Sequence, residues 1–276
     1  MKLLTGLIMA ITTVTNLAFC QPVKVMSYNI RLDVASDGVN AWPNRADKVV
    51  ALIKKYNPDI LGIQEALHHQ LIALLKELPH YQYTGVGRDD GKQKGEFSAI
   101  LFKKKRFKLM EDSTFWLSET PTIPGSKSWD ADITRIASMA ILVDLKSKKE
   151  FLIINTHFDH IGKVARANSA RLITQTADHY LKHFNLPVII SGDFNSERSE
   201  EAYQNMVATD LLDSKPASDN QGTFCGFEVG KIICHPIDFI FYSKEWTLEK
   251  YQVVTDHHGQ YYPSDHLPVM IEIRLK

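Results

Sequence analysis

The sequence predicts an α/β protein with two stacked sheets and helices outside, on three observations. Short, strongly apolar runs of strand type recur at 23–26, 60–63, 99–102, 139–145, 151–154, 187–190, 237–242 and 269–273. Helical patterns lie between several of them. The long stretches 111–138 and 211–236 show no helical period and read as hairpins and loops, which a strictly alternating parallel sheet would not supply.

Taken in order, the chain opens with Lys2 and an uncharged, apolar and small-residue run over 3–18. This reads as a secretory signal peptide, residues 1–20, too short for a comfortable membrane span. Cleavage after Cys20 would leave Gln21 first and Ala18 three positions before the cut, so export is expected. Lipoprotein anchoring through Cys20 is the weaker reading, because bulky Phe19 stands where such sites carry a small residue. The remainder, 21–276, shows no linker-like shift in composition, no repeat and no low-complexity tract, and is expected to be one catalytic domain.

The first helix is expected over 44–56, with Val49, Val50 and Ile53 on one face and a stop before Pro58. A longer one over 163–184 repeats apolar residues at Ile173, Ala177, Tyr180, Leu181 and Phe184. Without Lys2 the 32 basic residues become 31 against 32 acidic ones, so no basic excess marks a grip on long nucleic acid. The basic run at 103–106 follows an apolar stretch and reads first as a strand end or turn. Cys225 and Cys234 form either a disulfide or two buried thiols, and two sulfurs alone make a poor zinc site.

Five polar tags sit at or near the ends of apolar runs: SYN at 27–29, QE at 64–65, NTH at 155–157, GDFN at 192–195 and SDH at 264–266. Glu65 at a strand exit would suit a hard cation that keeps most of its waters, although such a glutamate alone is more often a surface or capping residue. Asp193 and Asn195 alternate onto one side of an extended chain, where a carboxylate and an amide orient water; an Asx turn is the competing reading. His266, with Asp238 beside a buried-looking IDFIF stretch, offers an imidazole held by a carboxylate, suited to proton transfer near neutral pH. His157 offers a second imidazole. Trp116 and Trp129 would stack on a base or sugar, with buried structural tryptophan the safer reading.

In order and content these tags resemble the endonuclease/exonuclease/phosphatase superfamily, from about Val23 to the C-terminus. That superfamily includes pancreatic-type deoxyribonucleases, abasic-site endonucleases, deadenylases, neutral sphingomyelinases and inositol polyphosphate 5-phosphatases. The resemblance implies a four-layer α/β sandwich, dependence on Mg²⁺ or Mn²⁺, and in-line hydrolysis of a phosphoester by activated water. It assigns Glu65 and Asp265 to the metal, with Asn29 supporting metal or phosphate. Asp193 and Asn195 would orient water or stabilise the transition state, His266 would pair with Asp238, and His157 would contact phosphate or act as acid. Likeness to the deoxyribonuclease branch makes Glu96 the partner of His157 and Arg135 a phosphate ligand. The loop before Asp238 departs from the pattern: Cys234, His235, Pro236 and Ile237 replace a basic residue frequent there.

Segment 115–121 and Trp129 resemble a secreted or deadenylase-like bacterial branch. A phosphodiesterase or nuclease acting on nucleic acid or nucleotides is therefore the first expectation. A phosphatase or phospholipase-like hydrolase of sugar, inositol or lipid phosphates is the second. A non-catalytic binding protein is the third, and the full set of polar tags argues against it. No obligate protein partner is expected, and a monomer is.

Overall fold

Each apolar run expected to be a strand forms one. The computed structural model describes residues 21–230 and 233–276; the expected signal peptide, with Cys20, lies outside the described residues. The elements are β1 (Val23–Asn29), α1 (Ala46–Tyr56), β2 (Ile60–Ala66), α2 (His68–Glu77), β3 (Tyr81–Thr84), β4 (Phe97–Lys103), β5 (Phe107–Trp116) and β6 (Ile136–Asp144). There follow β7 (Glu150–His157), α3 (Lys163–Phe184), β8 (Val188–Asp193), α4 (Glu201–Val207), β9 (Leu211–Asp213), β10 (Asp238–Ser243), β11 (Trp246–Val253) and β12 (Val269–Leu275). Helices α1 and α3 end on left-handed Asn57 and Asn185, residues whose short side chains tolerate that conformation.

Two six-stranded sheets result, ordered β11-β12-β1-β2-β4-β3 and β5-β6-β7-β8-β10-β9. Among the described residues, only β1 with β2 and β7 with β8 pair in parallel, each joined by a crossover helix, α1 or α3. The alternation of strand side chains divides the interior into three apolar cores. In β1, Val23 and Val25 face the other sheet and, with Ile60 of β2, pack against its Ile153, Ile189 and Ile240. Met26 and Tyr28 face outward onto Val49 and Ile53 of α1 and Leu71 and Leu74 of α2. On the far side Ile154, Ile190 and Phe239 pack with Ile173 of α3 and Met206 of α4. The layers run helices, sheet, sheet, helices, the sandwich that the tags implied.

The face between the sheets changes character along its length. Continuing from the apolar residues, β1 presents Ser27 and Asn29, β2 presents Gly62 and Gln64, β7 presents Asn155 and His157, and β8 presents Ser191 and Asp193. The middle members join the two sheets by buried hydrogen bonds: Gln64 Nε2 donates to Asn155 Oδ1 at 2.7 Å and to Ser27 Oγ at 3.2 Å. Ser191 Oγ donates to Asn155 Oδ1 at 3.1 Å, while Asn155 Nδ2 donates to the Ile63 and Ala99 carbonyls, both at 2.9 Å. A Cβ on Gly62 would lie 2.5 Å from both Asn155 Oδ1 and Ser191 Oγ, so glycine alone fits.

The basic run at 103–106 turns from β4 into β5. Lys103 Nζ pairs with Asp59 at 3.0 Å and Arg106 Nη2 with Asp144 at 3.2 Å, as a strand end should. Cys225 and Cys234 are joined in a disulfide, which resolves the two readings.

Candidate active site

Four of the five polar tags end strands at one end of the sandwich, and the fifth, at 264–266, lies there too because it leads into β12, antiparallel to β1. Parallel pairing sets His157 level with Asp193, and antiparallel pairing sets Asp193 level with Asp238 at the start of β10. Glu65 needs a further device, because regular alternation would turn it away from Gln64 to the outer face. The pairing of β2 with β4 breaks between Ile63 and Ala66, and Glu65 adopts φ +64°. This bulge aims its carboxylate into the cleft.

Asn29 lies at the centre. Its Nδ2 donates to Glu65 Oε1 and Asp193 Oδ2, both at 3.0 Å, and lies 3.5 Å from His266 Nε2. Its Oδ1 accepts the Arg31 N–H at 3.0 Å. Asn29 therefore holds two carboxylates with its N–H groups. His266 Nδ1 pairs with Asp238 Oδ2 at 2.9 Å, as expected. Asn195 adopts φ +45°, its N–H donates to Asp193 Oδ1 at 2.9 Å, and its Nδ2 donates to His157 Nε2 at 3.0 Å. The Asx turn and the functional placement thus coexist at this residue: the turn aims the amide at His157.

Burial and neighbouring charge separate the proton affinities. Burial and the nearby Asp238 push Asp193 up to about 7, against the pull of His266. Burial alone would lower His266, but the Asp238 and Asp193 carboxylates override it and hold a charged imidazolium. His157 moves the other way: burial, with Arg135 and Arg88 nearby, holds it well below the ordinary histidine value. Glu65 stays ionised despite burial, through the Asn29 hydrogen bond and the His266 and Arg31 charges. Burial raises Asp265.

Arg31 Nη1 lies 3.8 Å from Glu65, and its Nε lies 3.9 Å from Asp265, so the two expected metal carboxylates share this cationic neighbour. Glu65, His157 and Asp193 each offer a ligand atom, all within 4.8 Å of one another. Asp193, Asp238 and His266 form a second such group.

The expected pairing of Glu96 with His157 is not formed. Glu96 takes a two-pronged bond from Arg88, at 2.8 and 2.7 Å, and His157 Nδ1 is buried without a partner. Two guanidinium groups near one carboxylate outcompete a neutral imidazole. Arg135 is 6% exposed, its Nη1 is 3.9 Å from Glu96, and its buried Nε and Nη1 have no hydrogen-bond partner. Arg88 was not foreseen, and the only signal for it was its place in the glycine-rich 87–97 stretch. Trp116 is buried and donates to the Arg88 carbonyl at 2.6 Å, a structural role; half-buried Trp129 does not line the cleft. The cleft itself is about 280 Å³, lined by Arg31, Glu65, Glu96, Arg135, His157, Asp193, Asn195, Phe224, Asp265 and His266 among others.

Comparison with known proteins agrees with this geometry. A mannosyl-6-phosphatase from Bacteroides thetaiotaomicron superposes with a TM-score of 0.87 at 38% identity, covering 91% of this chain and 99% of that one. Human nocturnin is 24% identical over 91% of this chain, and a probable RNA exonuclease of Saccharomyces cerevisiae is 26% identical over 69% of it. The match spans 65% and 41% of those two relatives' own lengths. Residues 26–266 match the model of the Endonuclease/Exonuclease/phosphatase family, whose members are phosphoester hydrolases, and the chain belongs to that family.

Proposed function

We propose that this chain is an exported, divalent-metal-dependent phosphomonoesterase acting on small phosphorylated sugars. This reverses the order of the first two expectations from sequence. The observation that carries it is the cleft itself, whose wall brings the guanidinium groups of Arg31 and Arg135 beside the clustered carboxylates. A terminal phosphate bears one more charge than a diester and so gains more from two cations in the cleft wall. A cleft of about 280 Å³ suits a phosphorylated monosaccharide better than a strand, and the balanced charge of the chain offers no electrostatic track for a polymer. The mannosyl-6-phosphatase likeness supports the same reading. The disulfide supports export, since such bonds persist in oxidising compartments.

The donor set fits a hard cation: carboxylate oxygens at Glu65 and Asp265, with no thiolate beside them. These two residues would hold Mg²⁺ or Mn²⁺, which when bound neutralises charge on the phosphate oxygens. Asp193, with its proton affinity near neutrality, takes a proton from the attacking water. The amide of Asn195 orients that water or the phosphate. His266, kept charged by Asp238, donates toward the developing negative charge. Cationic Arg135 draws the remaining phosphate oxygens, while neutral His157 accepts the Asn195 amide N–H and fixes its orientation.

Replacing Arg135 tests the substrate class. Arg135→Met is expected to lower kcat/KM for a hexose 6-phosphate by roughly 10- to 100-fold, the value of hydrogen bonds to a charged group, while bis(p-nitrophenyl) phosphate hydrolysis changes little. An equal loss on both substrates would return the site to the phosphodiesterase reading.

A further inference from the structure

Arg45, at the start of α1, is 2% exposed and lies outside the cleft lining. A buried guanidinium normally finds a carboxylate, yet all five of its N–H groups end on backbone carbonyls. Nε donates to Asn40 at 2.8 Å, Nη1 to Ile30 and to Pro263 at 3.3 Å, and Nη2 to Arg31 at 2.8 Å and Leu32 at 3.3 Å. Its planar face lies 5.2 Å from the Trp42 ring and 5.5 Å from the Phe227 ring.

Four of the five bonded carbonyls, all but that of Asn40, belong to the two segments that set the metal-side carboxylates. In the turn after β1, the Leu32 N–H donates to Glu65 Oε2 at 3.1 Å and the Arg31 N–H fixes Asn29, which holds Glu65 from the other side. Pro263 immediately precedes Ser264, whose Oγ donates to the Asn29 carbonyl at 2.8 Å and lies 3.3 Å from Asp265 Oδ1. Phe227 lies within the loop closed by the disulfide, and its carbonyl accepts the Tyr262 N–H at 2.8 Å. One side chain thus joins the Glu65 side, the Asp265 side and the disulfide loop.

We propose that Arg45 is the positioning residue of the metal site, setting the separation of Glu65 and Asp265 by fastening the 30–32 turn to Pro263. The inference rests on the metal-dependent reading above. Lysine cannot take its place, since a single ammonium cannot reach five carbonyls in a plane. Loss of such an outer contact weakens metal binding by roughly 10- to 100-fold in comparable sites.

The test is calorimetric titration of chelator-treated wild type, Arg45→Lys and Phe227→Ala with Mn²⁺, alongside thermal melts and turnover at saturating metal. Wild type should bind the ion, and Arg45→Lys should remain folded and bind it at least about tenfold more weakly. Phe227→Ala, which removes one stacking ring and no carbonyl bond, should show a smaller loss of the same sign. Excess metal should restore most of the turnover, which a general loss of packing would not allow. Unchanged affinity in folded Arg45→Lys overturns the proposal, and should that variant not fold, unchanged affinity in Phe227→Ala does so. No binding by wild type would instead overturn the metal-dependent reading itself.

Discussion

In the proposed reaction Asp193 is the base, and burial and Asp238 raise its proton affinity to about 7 while His266 opposes them. A raised value means the carboxylate is protonated on the acid side, so kcat/KM should climb as pH rises through about 7; a flat profile there would remove Asp193 as the base. Asp193→Ala and His266→Ala should each keep the wild-type circular dichroism and lower turnover by at least roughly a hundredfold. Near-normal turnover would remove that residue from the catalytic set. Asp193 was readable because it ends an apolar run and strand alternation places it, whereas His266 was readable only from its motif beside the β12 run. Glu96 was readable only as a nearby carboxylate: its partner is set by Arg88, eight positions away across a loop whose fold no periodicity announces. Arg45 left no trace in the pattern, because backbone carbonyls have no sequence signature.

The elements that escaped the sequence reading share a physical reason. Strands β11, β3, β5 and β9 are the four edges of the two sheets. Edge strands are kept short or charged, which suppresses unwanted pairing and with it the apolar signal. In β5 the exposed Glu111 and Asp112 hide the strand, and β9 has three residues. Helix α4 spans seven residues, too few to establish a period, and α2 follows the Glu65 bulge directly. Between elements, Asp159 accepts the N–H groups of Asp132, Ile133, Ile161 and Gly162, fixing a cleft-lining loop to the start of α3. Burial opposes its charge, but these four donors hold its carboxyl below the usual range. Its contribution is therefore complete above the unfolded carboxylate value and lost as pH falls through the lower folded one. Asp159→Ala should cost about 3 kcal/mol in urea unfolding at pH 7 and progressively less on acidification; a pH-independent difference would contradict this. Gly62→Ala should cost at least about 2 kcal/mol and reduce activity together with stability, as its methyl enters the Asn155 and Ser191 network. Wild-type stability in that variant would show the network to be yielding.

At the scale of the whole molecule, the face between the sheets runs from Val25, Ile153 and Ile189 through Ser27, Asn155 and Ser191 to Asn29, His157 and Asp193. The apolar end contributes the stability that lets the other end keep buried, mutually repelling carboxylates. The α/β class and the two-sheet arrangement were legible because central strands bury both faces, whereas the substrate was not, because the cleft and the guanidinium groups in its wall exist only once the loops close. The most direct test compares phosphate release from a hexose 6-phosphate with hydrolysis of bis(p-nitrophenyl) phosphate and a DNA oligonucleotide, each with Mg²⁺ or Mn²⁺ and again after chelation. Metal-dependent release chiefly from the sugar monoester is the predicted result, and preferential cleavage of either diester, or release undiminished by chelator, would contradict it.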